Sequence, residues 1–421
     1  FIYTAMRNNL SSQITLTRVP EKYYKPENAY EYSLLTRFEK VRTHIYATME
    51  EGAGELAREL ATSIRERQRE GKQFVLAVPG GRSPYPIYRQ LIRMHREEDL
   101  SLRNVVVFLI YEFYPLTNEA YSNMHLLREV FLDHVDIPKG NVYSPDGFID
   151  KNDIYDFCRR YEQRIRECGG IDCMLLGVGQ AGTIGVNSAG TSVSSRTHLV
   201  LMDDTSRKES AQLFRSIDNV PAGVITMGLG TLMEAAKVVL VAWGENKSRI
   251  IRETIEAPAS DAVPSTCLQH HPNAKVVIDL SAAGQLTRIS HPWLVTPCVW
   301  DNKLIRRAIV WLCAQTDKPI LKLTNKDYSE HGLGELLALY GSAYNVNIRI
   351  FNDIQHTITG WPGGKPNADD SNRPERAKPY PKRVIVFSPH PDDDVISMGG
   401  TLRRLCDQQH EVHVAYETSG N

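Results

Sequence analysis

Short runs made only of apolar residues alternate along this chain with longer stretches whose apolar positions recur every three or four residues. Leu56, Leu60 and Ile64 give helical spacing over 51–70. "FVLAV" (74–78) follows as a fully apolar strand, then a second helix through Ile87, Leu91 and Ile92, then the strand "VVVFLI" (105–110). "DCMLLGVG" (172–179), "HLVLM" (198–202), "GVITMG" (223–228) and "KVVLVAWG" (237–244) continue the series, with a helix over 247–255. Uninterrupted apolar strands that alternate with helices predict an α/β fold, a parallel sheet covered by helices on both faces. Ligands of such sheets bind beyond the carboxyl ends of the strands, so the loops there are the places to search.

A smaller α/β segment follows, with a helix over 301–315, a strand at "ILKL" (320–323), a helix over 333–340 and a strand at "VNIRIF" (346–351). The Pro-, Gly- and charge-rich stretch 359–381 reads as an ordered loop or linker, after which 383–387 opens another strand. The expected organisation is an N-terminal extension (1–34), a first domain (35–295), a connecting segment with the linker (296–382) and the start of a further α/β domain (383–421).

Composition narrows the classes. The net charge of −1 over 421 residues gives no field that favours nucleic acid or an anionic membrane. No apolar run reaches the roughly 18 residues of a membrane-spanning helix, and "FIYTAMRNNL" lacks the basic region and apolar stretch of a signal peptide. Seven cysteines without a CxxC pair read as reduced packing residues of a cytoplasmic protein.

Two stretches carry candidate chemistry. "PGGRSP" lies between a strand and a helix. Gly80 and Gly81 permit close backbone approach, Ser83 offers a hydroxyl, and the helix start directs amides and dipole at an anion; an ordinary strand-to-helix turn is the alternative. "SPHPDDDVISMGG" follows the last apolar strand. His390, Asp392 and Asp393 can converge on one loop, an imidazole and a carboxylate as a zinc ligand pair with a spare carboxylate as base, or the three aspartates can serve the start of an apolar helix.

In order along the chain, "LAVPGGRSPYPIY", "YEFYPL", "FLDHVDIP", "GGIDCMLLGVGQAGTIGVN", "ITMGLGTLMEAAKVVLVAWGENK" and "VPSTCLQHHPNA" resemble the glucosamine-6-phosphate deaminase family over about 35–295. The resemblance implies a modified Rossmann-like fold, a cytoplasmic and commonly oligomeric protein, and conversion of glucosamine 6-phosphate to fructose 6-phosphate and ammonia. It places Gly80, Gly81 and Ser83 on the phosphate loop, Lys247 at the phosphate-binding lysine, and Asn187, retained in the ring-opening motif, among the substrate-binding residues. It also exposes substitutions. Tyr111 stands where the family has its base, an Asp, and Ala181, Thr183 and Ser188 stand for the Asp, His and Glu of the ring-opening motif "GQAGTIGVNS". Ala, Thr and Ser cannot shuttle protons near neutral pH. Glu112 is the one neighbouring carboxylate that could replace the base, but on a strand its side chain points away from that of Tyr111, where a structural ion pair is the alternative. Three readings follow: a deaminase with replacement residues, a non-catalytic sugar-phosphate sensor or scaffold, or the N-terminal part of a de-N-acetylase.

The last reading rests on 383–421, which resembles the opening of the zinc-dependent de-N-acetylases of N-acetylglucosamine conjugates. That resemblance makes His390 and Asp393 metal ligands and Asp392 the water-activating base, with the third ligand, a His, expected in a longer chain. The expectation is a truncated chain that holds no zinc and needs no cofactor, unless His410 or His413 completes the site.

Overall fold

The apolar runs become strands because nothing in them needs water. The structure, a computed structural model, describes residues 19–357, 383–407 and 409–419. It divides into two units, Phe1–Pro297 and Cys298–Asn421. In the first unit the strands are β1 (Arg42–Tyr46), β2 (Phe74–Val78), β3 (Val105–Leu109), β4 (Tyr111–Tyr114), β5 (Val142–Tyr143), β6 (Cys173–Leu176), β7 (His198–Leu201), β8 (Gly223–Thr226), β9 (Val238–Ala242) and β10 (Ala274–Asp279).

Seven of them form one parallel sheet in the order β1-β10-β9-β6-β2-β3-β5. Every residue of β2, β3 and β9 is buried, as expected for a sheet with two covered faces. Alternate residues serve the two faces. Val105, Val107 and Leu109 pack with Ile87, Tyr88 and Leu91 of the helix Tyr85–Glu97 and with the helix Met49–Arg69. Phe108 faces the other way, its ring edge-on to Tyr161 of the helix Ile154–Glu167. Thr48 starts the helix Met49–Arg69 by accepting from the Glu51 amide at 3.2 Å, and Glu51 reaches back to the Ala47 amide at 3.1 Å.

Two apolar runs join a different sheet. β8 pairs antiparallel with β7 on one side and with β4 on the other in a small three-stranded sheet, order β4-β8-β7. β7 is its edge strand, with Leu201 73% exposed, so the expectation of parallel-sheet strands at 198–202 and 223–228 is corrected: both run antiparallel, and only the second is fully buried. A run of Leu and Val cannot by itself distinguish an edge from a centre.

The second unit departs further from expectation. The described part before the linker is helical: Asn302–Thr316, Asn325–Glu330, Gly334–Tyr340 and Ala343–Thr357, with a 3-10 turn at Ile320–Lys322 in place of the strand expected at "ILKL". "VNIRIF" alternates like a strand, yet it lies inside the helix Ala343–Thr357. Among its described side chains the buried ones are Ala343, Val346, Asn347 and Ile350, a helical stripe. Asn347 disguised that stripe. It is a polar core residue, and it accepts from the Tyr328 hydroxyl and donates to the Leu323 carbonyl, both at 2.8 Å. The expected linker 359–381 lies outside the described residues. β11 (Arg383–Ser388) and β12 (Glu411–Tyr416) then form a parallel pair joined by the helix Asp393–Asp407.

Candidate functional site

The large sheet reverses its winding between β6 and β2: from β2 the chain steps outward to β3 and β5, and from β6 it steps the other way to β9 and β10. Loops diverge at such a point and leave a crevice at the carboxyl ends. Here it is a cleft of about 390 Å³, lined by the loops after β2, β6 and β9 and by one face of β4.

The residues expected to form a phosphate cradle lie on the loop after β2. Gly80, Gly81 and Ser83 all line the cleft, and among the described residues their amides donate to no protein acceptor. Gly80 must be glycine, because a Cβ there would lie 2.2 Å from Cγ of Asn123. The cradle is fixed from behind by Trp243, which donates from Nε1 to the Ser83 carbonyl at 2.8 Å. Lys247 reaches the same cleft from the loop after β9. Its Nζ lies 3.0 Å from Oε1 of Glu209, on the helix Asp204–Phe214.

β4 sorts Tyr111 and Glu112 as a strand must. Tyr111 and Phe113 line the cleft. Burial drives the Tyr111 phenol well above its ordinary range, so it stays neutral. Glu112 points away and is 2% exposed. Its carboxylate accepts from the amides of Phe113 (2.9 Å), Asn123 (2.8 Å) and Met124 (3.0 Å), which secures the first turn of the helix Asn123–Val130. Amides, not the expected ion-pair partner, satisfy it. Burial raises its pKa to about 7, against the three amides that pull it down.

The ring-opening motif is dispersed. Thr183 is buried and lines the cleft. Ala181 is exposed and does not line it. Ser188 donates to Asp203 at 3.2 Å, outside the cleft lining. Asn187, expected on the substrate, is fully buried, and its amide donates to the carbonyls of Ile184 (3.1 Å) and Met227 (2.9 Å). It ties the loop after β6 to the end of β8.

In the second unit the turn after β11 holds His390 and Asp392, and Asp393 begins the following helix. His390 Nδ1 lies 2.9 Å from Asp393 Oδ2. Asp394 turns inward, its amide donating to Ser388 Oγ at 3.0 Å. His413 instead contacts Glu411 at 2.9 Å. Among the described residues no group of three or more His, Cys, Asp or Glu comes together. A catalytic zinc takes three protein ligands, and the two donors His390 and Asp393 do not meet that requirement.

The model of the glucosamine-6-phosphate isomerase/6-phosphogluconolactonase family matches residues 47–278, which includes every strand just described from β2 to β9. The chain belongs to this family. A glucosamine-6-phosphate deaminase-like protein of Bacteroides thetaiotaomicron is 63% identical over 417 residues, 99% of this chain and 63% of that protein. The chain thus spans less than two thirds of that relative. A glucosamine-6-phosphate deaminase of Bacillus velezensis is 36% identical over 231 residues, 55% of this chain and 95% of the enzyme. Among solved structures, a monomeric glucosamine-6-phosphate deaminase superposes with a TM-score of 0.55 at 34% identity, over 58% of this chain and 99% of that one. The model of the GlcNAc-PI de-N-acetylase family matches residues 385–421. No helix among the described residues is long and apolar enough to cross a membrane.

Five ionisable side chains line the cleft. Its lining includes Arg82, Tyr85, Tyr111, Glu209 and Lys247, and no His or Asp. Glu209 was not singled out from the sequence. Nothing in the spacing of "DDTSRKESAQLF" marks it, because the small antiparallel sheet, not the local pattern, brings that helix over the cleft. Its Oε1 also accepts from the Gln180 amide at 3.3 Å, which ties the helix to the loop after β6.

Proposed function

We propose that the first unit binds a sugar phosphate of amino-sugar metabolism and turns over glucosamine 6-phosphate slowly or not at all. One observation carries this reading: the phosphate cradle keeps free amides at Gly80, Gly81 and Ser83 beside Lys247, while the lining holds no imidazole and only one carboxylate, already paired with that lysine. Deamination needs a base to move a proton between C2 and C1 and a group that opens the ring. A phenol held neutral and a threonine hydroxyl supply neither near neutral pH. Lost acid–base groups cost about 10² to 10⁴ each in rate. The natural ligand is therefore read as an effector or a held intermediate.

The test is calorimetry with glucosamine 6-phosphate alongside an ammonia assay. Binding that weakens markedly in Lys247→Ala, with no ammonia above background, is expected. Ammonia release at rates ordinary for enzymes, about 1–10³ s⁻¹, would overturn it. A second reading concerns the whole protein. The de-N-acetylase match over 385–421, which includes His390, Asp392 and Asp393, supports a pairing of sugar-phosphate binding with removal of an acetyl group from an amino sugar.

A further inference from the structure

A second polar pocket lies at the other end of the large sheet, on the face covered by the helix Met49–Arg69. Its volume is about 470 Å³. Three neighbouring strands, β1, β10 and β9, each bring a cation there near their amino ends. Arg42 on β1 is in register with Lys275 on β10, and Lys237 immediately precedes β9. Like charges directly opposite on adjacent strands destabilise a sheet. Half-buried strand positions would ordinarily carry Val, Ile or Thr.

The helix answers only part of this charge. Glu59 bridges both lysines, one to each carboxylate oxygen, and Glu55 pairs with Arg58. The Arg42 guanidinium donates no hydrogen bond and meets no carboxylate among the described residues. Four cationic side chains therefore line the pocket against two carboxylates, an excess of two positive charges. His44 adds none at neutral pH, since burial, helped by Lys275 and Arg42, holds it down to about 4. Lys237 shows the same crowding: burial first, then Lys275 and Arg42, lower it to about 8. The rings of His44 and Tyr46 complete the wall and give a surface for an uncharged part of a ligand.

We propose that this pocket is a second anion-binding site, shaped for the dianionic phosphate of a small phosphate ester and separate from the cleft at the carboxyl ends. Two charges on the ligand match the excess of two on the wall. Arg42 offers a planar fork suited to phosphate, and the two lysines act as point charges behind it. The volume exceeds what a bare phosphate needs, so the ester carries a further group against the two rings.

The test uses the intact chain and inorganic phosphate, then glucosamine 6-phosphate as an ester probe. Calorimetry on the parent should report two sites. Lys247→Ala should retain one of them, and adding Arg42→Gln should weaken that remaining site roughly tenfold or more. Arg42 is exposed, so its replacement leaves the fold intact; Lys275→Met is a second variant on the same site, read against the melting temperature without ligand. Chloride at equal ionic strength should stabilise the Lys247→Ala chain less than phosphate does. The proposal fails if Lys247→Ala binds no phosphate, if Arg42→Gln binds as well as its parent, or if chloride reproduces the effect. A tighter fit of the ester than of phosphate supports the ester form, and equal affinities overturn that part.

Discussion

Tyr111 and Glu112 are neighbours in sequence, and the pleat of β4 gives them separate tasks: one ring lines a cleft and one carboxylate holds a helix start. Glu112→Ala should cost about 1–3 kcal/mol, because it leaves buried amides without an acceptor; Glu112→Gln, whose amide oxygen still accepts, should cost less. Denaturant titration of both variants reads this, and equal losses would refute it. The pH dependence has a definite sign. Burial raises the Glu112 pKa from 4.5 to about 7, so the folded chain holds the proton more tightly than the unfolded one. The stability linked to it is fully present below pH 4.5 and is lost as pH rises through about 7. Glu39, also raised to about 7 by burial, works in the same direction. In Glu112→Gln the decline between those pH values should be shallower than in the parent, measured by melting temperature across that window. In the cleft, Glu209 already occupies Lys247, so ligand binding exchanges one anion for another. Glu209→Gln should tighten phosphate binding by about fivefold or less, the range of a partly exposed ion pair; weaker binding in that variant would mean the carboxylate itself contacts the ligand. Gly80, Gly81, Ser83 and Lys247 were legible because their loops follow apolar strands, whereas Glu209 was not, since only tertiary structure brings its helix there.

At the scale of elements, the loop after β2 depends on the helix Asn123–Val130 as much as on its own glycines. The Asn123 side chain fills the space that a Cβ on Gly80 would take and donates to the Tyr111 carbonyl at 3.3 Å. Gly80→Ala should therefore displace Asn123, cost about 1–3 kcal/mol and weaken phosphate binding; a variant that keeps both stability and affinity would show that the loop can shift freely. Fully apolar runs announced the parallel strands, and 3.6-residue spacing announced the helices that cover them. The failures have one cause each. "VNIRIF" hid its helical stripe behind a hydrogen-bonded core asparagine, and "HLVLM" carried apolar residues onto an edge that leaves Leu201 outside. In both, a partner distant in sequence decided the outcome.

At the scale of the whole molecule, the cleft and the basic pocket occupy opposite ends of one sheet, and the same winding produces both. The reversal between β6 and β2 opens the cleft. The return of β10 to pair with β1 brings Lys275 beside Arg42. That pairing also joins the first described strand of the unit to the last. Among the described residues β1 has no other neighbour in the large sheet, so its hydrogen-bonding edge stays open until residues 274–279 exist and reach it. Contacts of such long sequence separation form slowly, because the intervening loop must close first. During synthesis the strand that leaves the ribosome first waits unpaired while nearly the whole unit follows it. Chains arrested before Ala274 should therefore lose Arg42–Tyr46 to protease while the segment around β2 and β3 resists, and arrest beyond Asp279 should restore protection to both.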